Sequence, residues 1–295
     1  MDDPRNVAEK GEHDIDPEVL ADPDLQENPE RRQEDGGDDA QKVHGEPPVF
    51  SGTIAADRKV TSWRIDMQRT LEPELMLDEA QALAYARADF EAPHQRVVEE
   101  FRAAFPGLDL DGDILDLGCG PGDITFRFAQ AFPRARLIGV DGSPAMLALA
   151  RQRGEAEGLA GRVAFVEGII PGAPIPPLPW QAVVSNSLLH HLHRPEVLWQ
   201  PIRSLAAAGT HLFIYDLRRP ETPEQAREMV ELYAAGEPEV LRRDFHHSLL
   251  AAFIVAEVEA QLVEAGLRGL TVRPIGDRHL AVQGILESLP AGNRK

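Results

Sequence analysis

Three glycines, Gly118, Gly120 and Gly122, occupy alternate positions of the segment LDLGCGPGD near the middle of the chain. The apolar run before them predicts a buried strand, and the amphipathic pattern after them predicts a helix. Open α/β sheets bind ligands at the carboxyl ends of their strands, where a glycine lets backbone N–H groups approach the ligand closely. Pro121 restricts the backbone of the same turn. This turn is therefore predicted to bind a small ligand.

The residues around the turn indicate the chemical class of that ligand. A dinucleotide fingerprint needs its third glycine at position 123, which is Asp123 here, so the spacing favours a nucleoside over a pyrophosphate. Asp116 on the strand and Asp123 at the helix start would repel a diphosphate, but they suit a ligand that carries an ammonium and a sulfonium group. The pattern therefore argues against a nicotinamide-dependent oxidoreductase.

A second carboxylate follows the glycine turn at a fixed distance. The apolar run RLIGVD predicts another strand, which ends at Asp141 about 20 residues after the turn. A carboxylate at that position can accept hydrogen bonds from both hydroxyls of a ribose. Met146 lies one turn into the next predicted helix, where it can pack against an adenine. These positions favour an adenine nucleoside.

Strands and helices alternate along the rest of the chain. Short apolar runs separated by amphipathic stretches indicate a mostly parallel sheet with helices on both faces, an α/β architecture. Two closing runs lie close together and are expected to pair antiparallel at one sheet edge. The predicted strands are Asp113–Leu117, Arg136–Asp141, Val163–Glu167, 182–186, 211–216, 270–274 and 279–284.

Upstream of this pattern, two segments of different character are predicted. Residues 1–50 contain sixteen acidic and five basic residues and show no apolar periodicity, so they are expected to form a disordered acidic tail. Apolar residues recur at helical spacing between residues 57 and 105, which predicts two or three helices. The expected organisation is thus the tail, a helical cap at 51–108 and a ligand-binding domain at 109–295.

Composition excludes several classes of function. The net charge of −19 opposes binding to nucleic acid, and one cysteine, Cys119, excludes a disulfide framework. No apolar run is long enough to span a bilayer, so no membrane partner is expected. The N-terminal sequence lacks the basic and apolar regions of a secretory signal, which predicts a cytoplasmic location. No oligomeric state is indicated.

Four segments together carry a resemblance to a known family. LDLGCGPGD, GVDGSPAMLALAR, FVEG and VVSNSLLHHL occur in this order between residues 113 and 284. They resemble the class I S-adenosylmethionine-dependent methyltransferases of the small-molecule type. The resemblance implies a Rossmann-like seven-stranded, mostly parallel sheet with an N-terminal helical cap, S-adenosylmethionine as cofactor and a small-molecule acceptor with an O, N, S or C nucleophile. A non-catalytic nucleoside-binding protein on the same fold is the alternative.

The resemblance also assigns parts of the cofactor to parts of the chain. The glycine turn is expected to line the methionine moiety, Asp141 to bind ribose, the FVEG segment to flank adenine, and the segment from Asn186 to His191 to face the methyl group. Many relatives have Asp after the glycine of FVEG, where this chain has Ile169, so adenine recognition is expected to use backbone atoms or Glu167. The expected cofactor-binding residues are Asp116, Gly118, Cys119, Gly120, Pro121, Gly122, Asp141, Gly142, Met146, Glu167, Gly168, Ile169, Asn186 and Ser187.

Catalytic and substrate residues follow from the same arrangement. Imidazole titrates near neutrality, so His190 or His191 is a candidate proton acceptor, with Asp216 at the end of the fifth predicted strand. Methyl transfer needs no dedicated base when donor and acceptor are well aligned. Neighbouring histidines diverge around a helix, and no acid lies at ligand spacing, so no metal is expected. The candidate substrate residues are Tyr85, Phe90, His94 and Phe245.

Overall fold

The fold is built on a central sheet. Its strand β1, Asp113–Leu117, is buried at all five positions and is therefore covered on both faces. A computed structural model of the chain describes residues 67–72 and 91–288, which belong to one compact unit spanning residues 62–295. The strand order of the seven-stranded sheet is β3-β2-β1-β4-β5-β7-β6. The other strands are β2 Arg136–Asp141, β3 Val163–Glu167, β4 Trp180–Asn186, β5 His211–Leu217, β6 Leu270–Ile275 and β7 His279–Ile285.

Helices connect these strands and cover both faces of the sheet. Two begin at residues with a helix-starting preference: Ser143 and Thr222 accept hydrogen bonds at N-caps, and Pro144 and Pro223 occupy the first turns. The helices of the described residues are α1 Glu91–Ala104, α2 Asp123–Ala131, α3 Pro144–Ala156, α4 Glu196–Leu205, α5 Pro223–Tyr233, α6 Glu239–Ala251 and α7 Val255–Ala265, with a 3₁₀ turn at Leu189–His191. None of them is long and apolar enough to cross a bilayer.

The core consists of two layers that lie on opposite faces of the sheet. Successive side chains of a strand point to opposite faces, so Ile114 belongs to one cluster while Leu115 and Leu117 belong to the other. Buried residues of α1 and α2 fill the first layer, and those of α4 and α7 fill the second. The predicted α/β architecture with helices on both faces is therefore confirmed.

The closing pair of strands pairs antiparallel, as the sequence indicates. β7 runs antiparallel to both β5 and β6, and it lies between them rather than at the edge. The other neighbouring strands of the sheet are parallel. β4 begins at Trp180, two residues before the predicted start, and its pairing with β1 contains a register irregularity between Asp113 and Ile114.

Helix α1 belongs to the stretch in which the sequence predicts a helical cap. Its residues Val97, Val98 and Phe101 are buried in the first core layer together with residues of the sheet. The acidic tail predicted at 1–50 and most of the remaining cap lie outside the described residues.

Candidate functional site

A cavity of about 470 Å³ opens at the carboxyl ends of β1, β2 and β4. The glycine turn after β1 forms one wall, and the residues that follow β2 and β4 form the others. This edge is where parallel α/β sheets bind ligands, and the volume lies within the range of pockets for small molecules.

The glycine turn has positive φ angles, which residues other than glycine adopt only with strain. Gly118 has φ +72°, and a Cβ built on it would lie 2.8 Å from both methyl carbons of Leu188. Gly120 has φ +52°, and a Cβ built on it would meet no protein atom within 4 Å. The N–H of Gly118 donates to the carbonyl of Val140 at 2.8 Å, which ties the turn to β2. The open space over Gly120 is thus part of the cavity.

Asp141 is held at the end of β2 by the backbone. Its Oδ2 accepts a hydrogen bond from the N–H of Gly120 at 2.9 Å, and its Oδ1 accepts one from the N–H of Ser143 at 2.8 Å. Burial raises the pKa of Asp141, while these amide hydrogen bonds oppose the shift without cancelling it. The carboxylate therefore has a fixed orientation beside the glycine turn and lines the cavity.

Asp116 lines the same cavity from β1 but is almost fully buried. Its Oδ2 accepts a hydrogen bond from the hydroxyl of Thr125 at 2.6 Å. Burial raises the pKa of Asp116 to about 7; the Thr125 hydrogen bond lowers it and the nearby Asp141 charge raises it further. A cationic ligand group at this position would favour the ionised carboxylate.

Comparisons with known proteins agree with this geometry. Residues 114–209 match the family described as Methyltransferase domain. That segment runs from β1 to the residues just before β5, and it includes the glycine turn and Asp141. The match covers 96 of the 295 residues, about a third of the chain.

Two curated relatives have the same name, Trans-aconitate 2-methyltransferase. The one from Methylobacterium nodulans is 33% identical over 157 residues, which are 52% of this chain and 56% of the relative. The one from Variovorax paradoxus is 45% identical over 78 residues, 26% of this chain and 29% of the relative. The longer of these two matches thus covers 56% of the relative's length.

Two solved methyltransferase structures have a fold similar to that of this chain. A SAM dependent methyltransferase from Aquifex aeolicus has a TM-score of 0.52 at 17% identity and covers 72% of this chain and 100% of its own. The plantazolicin methyltransferase, solved in complex with SAH, has a TM-score of 0.54 at 13% identity and covers 72% of this chain and 91% of its own. At such identities the likeness concerns the fold.

The structure brings most of the predicted cofactor-binding residues to one cavity. Glu167 and Gly168 do not line it, although the next residue, Ile169, does. Gly122 does not line it either, because it caps the N-terminus of α2 and its α-carbon faces Phe126. The predicted residues that line the cavity are Asp116, Gly118, Cys119, Gly120, Pro121, Asp141, Gly142, Met146, Ile169, Asn186 and Ser187, together with His94 and His191.

Asp123 lines the cavity but is already paired with protein cations. Its Oδ2 lies 2.7 Å from both His94 Nδ1 and Arg127 Nε, and its Oδ1 lies 2.7 Å from Arg153 Nη1. Burial raises the pKa of Asp123, but the hydrogen bonds from these partners outweigh it and hold the pKa well below its usual range. The sequence predicted that the Asp123 carboxylate attracts a cationic ligand. In the structure, Asp123 instead pairs with cationic side chains of three helices, α1, α2 and α3.

His190 and His191 lie on the 3₁₀ turn after β4, and Asp216 lies at the end of β5. His190 Nδ1 is 2.5 Å from Asp216 Oδ1, and Asp216 Oδ2 accepts a hydrogen bond from the N–H of Leu189. Burial lowers the pKa of His190, but the Asp216 carboxylate outweighs this and raises it above its ordinary value. Of these candidates, His191 lines the cavity, while His190 and Asp216 lie behind it.

Two residues near the histidines were not found by sequence reasoning. The guanidinium of Arg69 donates hydrogen bonds to the carbonyls of His190 and Leu192, each at 2.8 Å, and to that of Ala251. Glu72, three residues later, lies beside both histidines. Both residues belong to the described segment 67–72, which forms neither helix nor strand, although the sequence predicted helices between residues 57 and 105. Their approach to the histidines depends on tertiary packing, which the sequence pattern does not show.

The predicted substrate residues have different locations. His94 lines the cavity. Phe245 packs against a small apolar cluster formed by α5, α6 and the end of β5, and it does not line the described cavity. Tyr85 and Phe90 lie outside the described residues.

Proposed function

We propose that the chain binds S-adenosylmethionine in this cavity and transfers its methyl group to a small-molecule acceptor. The observation that carries the proposal is the Asp141 carboxylate, which two backbone amides hold at the end of β2 next to the glycine turn. A carboxylate at this place in a Rossmann-like fold accepts hydrogen bonds from ribose hydroxyls.

The other residues of the cavity fit the remaining parts of the cofactor. The space over Gly120 accommodates a ligand against the backbone, and Asp116 supplies an anionic group for the ammonium. Met146 on α3 offers an apolar contact for the adenine. When bound, S-adenosylmethionine supplies an electrophilic methyl group on a cationic sulfur.

The role of the chain in the reaction is to hold and orient the reactants. Asn186 and Ser187 follow β4 and line the cavity beside the glycine turn, and His191 lines it from the next turn. Alignment of the acceptor with the methyl group and exclusion of water account for a large part of the rate in such reactions. A nucleophile that is already anionic needs no proton acceptor.

The first test is calorimetric binding of S-adenosylmethionine and S-adenosylhomocysteine to the wild type and to Asp141→Ala. The substitution removes a charged hydrogen-bond acceptor, so we expect binding to weaken by about 10-fold to 100-fold. Glu155→Ala is the matched control, because it removes an exposed carboxylate on α3 that does not line the cavity. Absence of binding to the wild type would contradict the proposed cofactor, and unchanged affinity in Asp141→Ala would contradict the role of Asp141.

We further propose that the acceptor is a small carboxylic acid. The curated relatives are trans-aconitate methyltransferases by name, and side chains that can carry positive charge, His94, His191, His193 and Arg194, line the cavity. A carboxylate oxygen is an anionic nucleophile at neutral pH, so its methylation needs no proton acceptor in the site.

Turnover assays distinguish this acceptor class from others. Trans-aconitate and its neutral trimethyl ester are incubated with the protein and S-adenosylmethionine, and S-adenosylhomocysteine is measured by chromatography. We expect the acid to raise S-adenosylhomocysteine formation well above the level measured without acceptor. The ester has no carboxylate oxygen left to accept the methyl group, so it should stay at that background level. Equal rates with acid and ester would contradict a carboxylate acceptor. Cofactor binding without turnover across a broad panel of acceptors would favour the non-catalytic alternative.

A further inference from the structure

Three potential ligand atoms converge beside the cavity on residues distant in sequence. Glu72 Oε1 lies 3.1 Å from His191 Nδ1 and 3.6 Å from His190 Nε2, and the three atoms all lie within 4.8 Å of one another. The two imidazole rings are 4.1 Å apart, centroid to centroid. One carboxylate oxygen and two imidazole nitrogens at these separations form a compact donor set.

Two of these atoms are buried without a hydrogen-bond partner among the described residues. Glu72 Oε1 and His191 Nδ1 are both shielded from solvent, and neither makes a hydrogen bond despite their short separation. The Glu72 side chain is only 8% exposed. A buried polar atom without a partner typically costs about 1–3 kcal/mol. The two atoms lie 3.1 Å apart, so a single bound ion could satisfy both.

Further residues orient the donor atoms in the way metal ligands are usually oriented. Asp216 is hydrogen-bonded to His190 Nδ1, which leaves Nε2 directed toward Glu72. Ser248 donates a hydrogen bond to Glu72 Oε2 at 3.1 Å, which leaves Oε1 for the cluster. Histidine ligands of metal ions commonly donate their second ring nitrogen to a carboxylate. His190 and Asp216 reproduce that arrangement.

The local charge also favours a cation. Asp216 and Glu72 are two buried carboxylates, and Arg69 is close enough to interact electrostatically with both. The hydrogen bonds of its guanidinium go to backbone carbonyls rather than to either carboxylate. Asp216 is paired with His190, whereas the Glu72 carboxylate accepts none of these guanidinium hydrogen bonds, so a divalent ion would neutralise its charge.

We propose that Glu72, His190 and His191 bind one divalent first-row transition-metal ion, with Zn²⁺ as the representative species. Bonds of about 2.0–2.2 Å place the ligand atoms of a tetrahedral zinc site roughly 3.3–3.6 Å apart, close to the observed 3.1 and 3.6 Å. Two imidazoles and one carboxylate suit zinc, iron, cobalt or nickel better than magnesium, which prefers oxygen ligands. Three protein ligands leave a coordination position open, and His191 brings the site next to the cavity.

The sequence predicted no metal because neighbouring histidines were expected to diverge around a helix and no acid lies at ligand spacing. Neither condition holds in the structure. Neighbouring histidines diverge on an α-helix, but His190 and His191 lie on a 3₁₀ turn that keeps their rings together. The acidic ligand does not lie nearby in sequence, because Glu72 comes from an upstream segment that Arg69 fastens to the same turn.

Metal binding to the full chain tests the proposal. Protein stripped with a chelator is dialysed to equilibrium against Zn²⁺, and the bound metal is measured by mass spectrometry. Co²⁺ is then added as a spectroscopic probe, since its visible absorption reports tetrahedral imidazole and carboxylate coordination. We expect one ion per wild-type chain, with no competition from a large excess of Mg²⁺. Less than half an ion per chain, or equal displacement by Mg²⁺, would overturn the proposal.

Variants locate the ion. We expect Glu72→Gln and His191→Asn each to weaken Zn²⁺ binding by more than 10-fold, and Asp216→Asn by about 10-fold to 100-fold through loss of ligand orientation. His247→Asn, an exposed histidine on α6, is the control and should bind as the wild type does. Circular dichroism and urea unfolding of each variant show whether it is folded. Folded Glu72→Gln and His191→Asn variants that retain wild-type Zn²⁺ affinity would place the ion elsewhere and refute the assignment.

Discussion

Between pH 5 and pH 8 the wild type is expected to lose about 2–3 kcal/mol of stability relative to the Asp116→Asn variant. The pKa of Asp116 is raised by burial from 3.8 in the unfolded chain to about 7 in the folded one. The folded state therefore holds a proton that the unfolded state releases, and stability falls as the pH rises through this window. An asparagine stays neutral throughout, and its side-chain oxygen can still accept the hydrogen bond from Thr125.

Urea unfolding of both proteins at pH 5 and pH 8 measures this effect. Taking the difference between the two proteins at each pH cancels the contributions of all other titrating groups. A stability difference that does not change between the two pH values would show that Asp116 ionises normally. On the proposed function, the same variant binds S-adenosylmethionine more weakly, because an amide attracts the ammonium less than a carboxylate does. On that proposal, the Asp116 carboxylate lowers the stability of the folded chain near neutral pH and raises its affinity for the cofactor.

Phe101→Ala is expected to lower the free energy of unfolding by about 3–5 kcal/mol. The Phe101 ring is fully buried where α1 meets the sheet. Its centroid lies 5.0 Å from those of Phe105 and Phe128, 5.7 Å from that of Phe132 and 5.6 Å from that of Phe213. Truncation to alanine removes these contacts and leaves a cavity that close-packed neighbours cannot fill. Denaturant unfolding at constant pH gives the value.

A surface substitution controls for the general effect of removing a large apolar side chain. Leu232 on α5 is 70% exposed, and Leu232→Ala is expected to change stability by less than about 0.5 kcal/mol. If Phe101→Ala also changed stability by so little, α1 would not be an integral part of the first core layer.

The sequence predicts the sheet well because its pattern is local. Largely apolar runs such as His211–Leu217 signal buried strands. The glycine turn and Asp141 follow from spacing within one strand-turn-helix unit. Asp141 lies about 20 residues from the turn, and the parallel pairing of β1 with β2 brings the two together. The sequence can predict such positions because they depend only on local secondary structure and on the pairing of two neighbouring strands.

The pairing of side chains from distant segments is not visible in the sequence. Asp123 has the charge expected of a ligand-binding residue, but His94 and Arg153 approach it from other helices and occupy both of its oxygens. Glu72 meets His190 and His191 only because the chain between them folds into most of the sheet. Residue type and spacing contain no information about such encounters, which depend on tertiary packing.

The position of β7 inside the sheet affects how the protein is made. A nascent chain emerges from the ribosome with its N-terminus first, at about 5–20 residues per second. Strand β5 can pair with β4 early, but its other side stays open until His279–Ile285 has left the exit tunnel. During those seconds a strand with buried residues such as Phe213 presents unpaired backbone groups to neighbouring chains. The yield of folded protein should therefore depend on how quickly translation passes through α5, α6 and α7.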